Sequence, residues 1–157
     1  MVRTLTIGAA AALAAGALVL AGCGGSSAVS KQDYTDSVVS ARDRVDFALA
    51  QITLGSGDVD DLVERMETAA DQIDEAADDF DGNGSADGFD DETDDLVDAY
   101  HELAAGLGGT AHDASVDGME GLLTGTNALQ FPGWTKANRV LASLDEQGIT
   151  VEPISSH

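Results

Sequence analysis

From Lys31 onward the apolar side chains recur every three or four residues, the spacing that lines one face of an α-helix. The first such segment carries Val38, Val45, Leu49 and Ile52, with Ala41 and Ala48 on the same stripe, and Gly55-Ser56-Gly57 ends it. The second is the most regular. Val59, Leu62, Val63, Met66, Ala69, Ala70, Ile73, Ala76, Ala77 and Phe80 hold the period for about six turns. Asp58 stands where an N-cap belongs, and carboxylates in the first turn suit the positive end of the helix dipole.

A third segment resumes near Asp90 with Leu96, Val97, Tyr100, Leu103, Ala104 and Leu107, and Gly108-Gly109 predicts its end. A weaker fourth segment holds Val116, Met119, Leu122 and Leu123 and is interrupted by Gly118, Gly121 and Gly125. Phe131-Pro132-Gly133 predicts a sharp turn, after which Trp134, Ala137, Val140, Leu141 and Leu144 form a last helix. Gly148 takes the place of its C′ residue, with Ile149 positioned for the hydrophobic contact of a Schellman ending. No stretch of comparable length alternates with period two. The expected fold is therefore all-α, an antiparallel four-helix bundle with a short irregular fourth segment before the last helix.

Ahead of these helices the chain has a different character. Arg3 precedes a 16-residue apolar run from Leu5 to Leu20, followed by small residues, which is the three-part organisation of an export signal. A membrane span needs about 20 predominantly apolar residues, and no basic stop-transfer cluster follows this run. Leu20-Ala21-Gly22-Cys23 resembles the lipobox of bacterial lipoproteins, and the Ala-, Gly- and Asp-rich chain resembles small actinobacterial lipoproteins. The lipobox resemblance covers residues 1–23. It implies that Cys23 becomes the first residue of the mature chain and carries a diacylglyceryl thioether and an amide-linked acyl chain such as palmitate.

An ordinary cleaved signal, leaving Cys23 as a free thiol, and an uncleaved anchor are the alternatives. The absence of a second cysteine favours lipidation, because an exported thiol with no disulfide partner is a reactive leftover. Each buried methylene contributes about 0.8 kcal/mol, so two or three acyl chains hold a protein on a bilayer where one does not. The expected organisation is a signal peptide over 1–22, a flexible tether over 23–30 built on Gly24-Gly25-Ser26-Ser27, and an acidic helical domain over 31–157 with a short C-terminal tail.

Charge narrows the partners. The chain has 29 Asp and Glu against seven Lys and Arg, a formal charge of −22, and loss of Arg3 with the signal takes it to −23. Nucleic acid is excluded as a partner, because its recognition needs a basic footprint that neutralises phosphates. Anionic headgroups would repel the domain as well, so contact with the membrane is expected through the lipid anchor alone. Catalytic patterns are missing too: there is no Gly-x-Ser-x-Gly elbow and no glycine-rich phosphate loop with a following Lys-Ser/Thr. No catalytic residue, organic cofactor or small-molecule substrate is identified.

One stretch between the second and third helices carries candidate chemistry. Asp79, Asp81, Asn83, Ser85, Asp87 and Asp90 fall at positions 1, 3, 5, 7, 9 and 12 of a loop with Gly84 at position 6, which resembles an EF-hand calcium loop. The resemblance implies calcium as a ligand. Asp90 stands where the longer Glu normally chelates through both oxygens, and the flanking apolar positions suit a loop from Asp81 to Glu92 instead. An Asp/Gly-rich solvated connector accounts for the same residues. Elsewhere, Asp94 and Asp98 share a helical face with His101, either as a transition-metal site or as a solvated face, and His112 and His157 read as loop and tail residues.

The expected protein is thus a lipoprotein on the extracytoplasmic face of the cell membrane, serving as a binding or scaffold domain toward another envelope protein. The alternative is a calcium-binding envelope lipoprotein using residues 79–90. Self-repulsion among so many carboxylates should be relieved by counterions. Moderate salt is therefore expected to raise the melting temperature, measured by circular dichroism; a midpoint unchanged from low to high salt would contradict the expected repulsion.

Overall fold

The computed structural model describes residues 29–54, 57–127 and 132–155. Among them are five helices and no strand: α1 (Lys31–Thr53), α2 (Val59–Asn83), α3 (Asp90–Asp117), α4 (Met119–Asn127) and α5 (Pro132–Glu146). The fold is all-α, with α2 and α3 forming the central antiparallel pair, α1 against α2, and α4 and α5 both against α3.

Local chemistry sets the helix ends. Ser30 caps α1, its hydroxyl accepting from the Asp33 amide at 3.1 Å, and Asp58 caps α2 by accepting from the Asp60 amide at 3.2 Å. At the end of α5 the Ile149 amide donates to the Leu144 carbonyl at 2.9 Å and the Gly148 amide to Asp145 at 3.0 Å. With Gly148 at φ 83° and both Leu144 and Ile149 buried, this is the predicted Schellman ending. Lys31 satisfies one more carbonyl there, donating to Gln147 O at 3.1 Å.

Three features differ from the expected elements. α3 runs through Gly108-Gly109 to Asp117, because Leu107, Thr110, Ala111 and Ala114 are all buried on its inner face. Such burial outweighs the cost of about 1 kcal/mol for each glycine in a helix interior. The break falls instead at Gly118, whose φ of 60° reverses the chain into α4. Residues 128–131, including Phe131 of the expected turn, lie outside the described residues, while Pro132 and Gly133 belong to the first turn of α5. Val116, Met119 and Leu123, on the apolar stripe of the weak fourth segment, are exposed rather than core.

The C-terminal segment is a structural part of the domain. Ile149, Val151 and Ile154 are buried, which at about 1.5–3 kcal/mol per large side chain is a sizeable share of a lean core. Asn138 of α5 holds both backbone groups of Ile154, accepting from its amide at 2.7 Å and donating to its carbonyl at 3.5 Å. On the other side Arg42 of α1 donates to Glu152 O at 3.0 Å, and Asp46 accepts from the Ser155 amide at 2.7 Å. The segment thereby joins α1 to α5 and completes the fourth side of the bundle.

Small residues let the helices approach closely. Alanine is the most frequent core residue, and at two crossings even a methyl group has no room. A Cβ on Gly133 would collide with the α3 backbone at Ala99 and Leu103, and one on Gly121 with the α3 backbone at Asp113. Gly109, midway along α3, faces open space. Gly133→Ala is therefore expected to destabilise the fold by about 1–3 kcal/mol through overpacking. Gly109→Ala should stabilise it by up to about 1 kcal/mol through helix propensity; urea denaturation of the two variants checks both signs.

Candidate functional site

Several elements meet at the end of the bundle where the described residues begin. Val29 forms an isolated parallel bridge with Ala86 in the α2–α3 link, and Ser30 caps α1, so the tether expected over 23–30 is already docked at its last two residues. Behind it Tyr34 lies fully buried between Phe80 and Phe89, with ring centroids at 6.1 and 5.3 Å. Thr93 donates to the Phe89 carbonyl at 2.8 Å and accepts from the Tyr34 hydroxyl at 2.8 Å, while Lys31 sits 5.7 Å above the Phe89 ring. Cys23 and the export segment lie outside the described residues.

The candidate calcium ligands do not converge. An EF-hand loop leaves the helix at its first ligand, whereas α2 continues one turn beyond Asp79 and ends at Asn83. On that helical turn Asp81 points about 160–200° away from Asp79 and Asn83, so the three cannot face one ion. Their partners are elsewhere: Asp79 accepts from Arg44 at 2.6 Å, Asn83 donates to Ser37 at 3.2 Å, and Ser85 bonds Asp90. Asp87 lies exposed in the link, where the Phe89 amide closes a turn on Ala86 O at 3.0 Å. Among the described residues no group of three or more His, Cys, Asp or Glu side chains is placed to hold a metal ion. As folded here, residues 79–90 run from the last turn of α2 through a short connector in which Asp79, Asn83, Ser85 and Asp90 have separate partners.

His101 also finds partners on the neighbouring helix rather than on its own. Its Nδ1 lies 2.6 Å from Asp74 and its Nε2 3.7 Å from Asp78, both on α2, while Asp98 pairs with Lys136 of α5 at 3.7 Å. These contacts tie α3 to α2 and to α5 at the surface.

Two concavities flank α1. One, of about 330 Å³, lies between α1 and α2, floored by Ala41, Ala76 and Phe80 and bounded by the Ser37–Asn83 and Arg44–Asp79 cross-links. The other, of about 490 Å³, is shallow and lies on the outward face of α1, against Asp36, Val39, Ser40, Asp43, Arg44 and Phe47. Phe47 is 62% exposed and Leu54, at the end of the same helix, 60%. The apolar stripe of α1 omits both of them. The signal in the sequence was a large aromatic and a leucine out of phase with that stripe.

The comparisons with known proteins supply no relative: no family model, curated protein or solved structure matches the chain.

Among the described residues one buried side-chain polar group has no partner. The Tyr100 hydroxyl, at the centre of α3, makes no hydrogen bond, and burial holds its proton far above the ordinary tyrosine range. Tyr34 is shifted the same way, again mainly by burial, with its bond to Thr93 working against the shift. Both rings stay neutral in the fold while an unfolded tyrosine ionises near its ordinary value of 10.0, so stability is complete below pH 10 and falls as pH rises beyond it. Tyr100→Phe is expected to match or exceed the parent stability by about 1 kcal/mol at neutral pH, since it removes an unsatisfied donor, and to flatten the alkaline loss. Urea midpoints at pH 7 and above pH 10 measure both effects.

Proposed function

We propose that the protein is a lipid-anchored lipoprotein on the extracytoplasmic face of the cell membrane, in which the helical bundle serves as a binding or scaffold domain toward another envelope protein. The observation that carries this reading is Leu20-Ala21-Gly22-Cys23 at the end of a short apolar run, with the only cysteine of the chain at the lipidation position. Acyl chains on Cys23 would provide the attachment that the helices do not, for no helix among the described residues is long and apolar enough to cross a membrane.

The geometry of the first described residues fits such an anchor. Val29 lies six residues after Cys23 and is bridged to Ala86, so a short Gly/Ser tether would lead directly to one end of the bundle. That end presents Asp81, Asp87, Asp90 and Asp91, all exposed, which would hold the domain off an anionic bilayer rather than lay it flat. The long axis of the bundle would then point outward, leaving the helical faces accessible to a partner.

Cys23→Ser is expected to leave the helical circular dichroism unchanged while blocking signal processing or releasing the domain from the membrane fraction. A variant that remains membrane-bound at the mature size would overturn the lipoprotein reading.

A further inference from the structure

The core stripe of α1 is Tyr34, Val38, Ala41, Val45 and Ala48. On the opposite side a second series follows the alternating four-three spacing of a helix-packing seam, Asp36, Ser40, Asp43, Phe47 and Ala50, with Leu54 next in the spacing at the extended C-cap of the helix. It is acidic in its first half and apolar in its second. Every member but Ala50, which is half-buried, is exposed, and the shallow 490 Å³ concavity runs along the first four, from Asp36 to Phe47. A solvated face does not require phenylalanine and leucine at the seam positions.

From this pattern we propose that the outward seam of α1 is a docking surface for a basic amphipathic helix of another envelope protein; the proposal rests on the binding role inferred above and names its partner. Such a helix would set apolar side chains against Phe47 and Leu54, and Lys or Arg against Asp36 and Asp43. The charges favour that occupant. Arg44, which also borders the concavity, is paired with Asp79 and Glu75 of α2, and Arg42 binds Glu152 as well as Asp43, so both guanidinium groups already have acidic partners within the chain. Asp43 remains 58% exposed beside Arg42.

A second copy of the chain fits poorly. Parallel seams would place Asp36 and Asp43 against themselves, antiparallel seams would set Phe47 near carboxylates, and each copy carries the same large negative charge. Bilayer headgroups are disfavoured by the same acids. Helix-in-groove recognition uses such a combination of spaced apolar anchors and peripheral charge.

The test uses the full chain in zwitterionic nanodiscs, with empty discs as the blank, and a synthetic helical peptide bearing leucines along one half of a four-three seam and lysines along the other. Saturable binding is expected, weakened at least tenfold in the Phe47→Ser, Leu54→Ser double variant with unchanged helicity. Asp36→Asn with Asp43→Asn should weaken binding and lessen its salt dependence, whereas Asp71→Asn with Asp91→Asn, on α2 and α3, should leave it unchanged. No binding, equal loss in both acid-to-amide pairs, or full affinity after Phe47→Ser and Leu54→Ser would overturn the proposal, as would self-association abolished by Phe47→Ser. Retention of Cys23→Ser on the membrane at the mature size would refute the anchor alone, since peptide binding reads the seam independently.

Discussion

The burial of Tyr34 is the contact on which the arrangement of the helices depends. Its ring fills the space between Phe80 at the end of α2 and Phe89 at the start of α3, and its hydroxyl meets Thr93, which is already bonded to the Phe89 carbonyl. A single side chain therefore fixes where α1 begins, where α2 stops and how α3 starts. Aromatic packing supplies the apolar area, and the hydrogen bond makes the buried oxygen tolerable. Val29, Ser30 and Lys31 then meet Ala86, Asp33 and Gln147 around that plug, so the first described residues are tied to both the α2–α3 link and the end of α5.

Away from this end the bundle is held by proximity rather than bulk. Alanines are eight of the 18 buried residues of α2 and α3, and Gly121 and Gly133 allow α4 and α5 to approach the α3 backbone more closely than any other residue would permit. Close backbones compensate for small side chains, because packing density rather than side-chain size governs dispersion. The design leaves little apolar area to spare, which explains why Ile149, Val151 and Ile154 are recruited to the core from a segment without helical periodicity.

The candidate calcium segment shows that one residue spacing is compatible with two backbone conformations. Asp79, Asp81 and Asn83 have the spacing of an ion loop, yet the helical period that begins at Val59 carries through them, because burying Ala76, Ala77 and Phe80 and pairing Asp79 with Arg44 favour one more turn. Residue spacing has two meanings, and backbone conformation chooses between them. His101 illustrates the same point, since the acids nearest to it in sequence are not those it meets across the α2–α3 interface. By contrast the α1 seam was present in the residue order all along, hidden because Phe47 and Leu54 were not on the stripe that defined the core.

The chain alone determines its helices where burial and capping are local properties: the stripes of α1, α2 and α5, the caps at Asp58 and Gly148, and the all-α class follow from a period of 3.6 and from the chemistry of helix ends. Only the tertiary structure decides matters that depend on what lies across an interface. It carries α3 through two glycines, breaks the chain at Gly118, seats the C-terminal segment between α1 and α5, and disperses the acids of residues 79–90 among separate partners. The physical reason is one of magnitude. A glycine or a loop motif biases the backbone by about 1 kcal/mol, whereas burial of a few side chains against a neighbouring helix contributes several times as much.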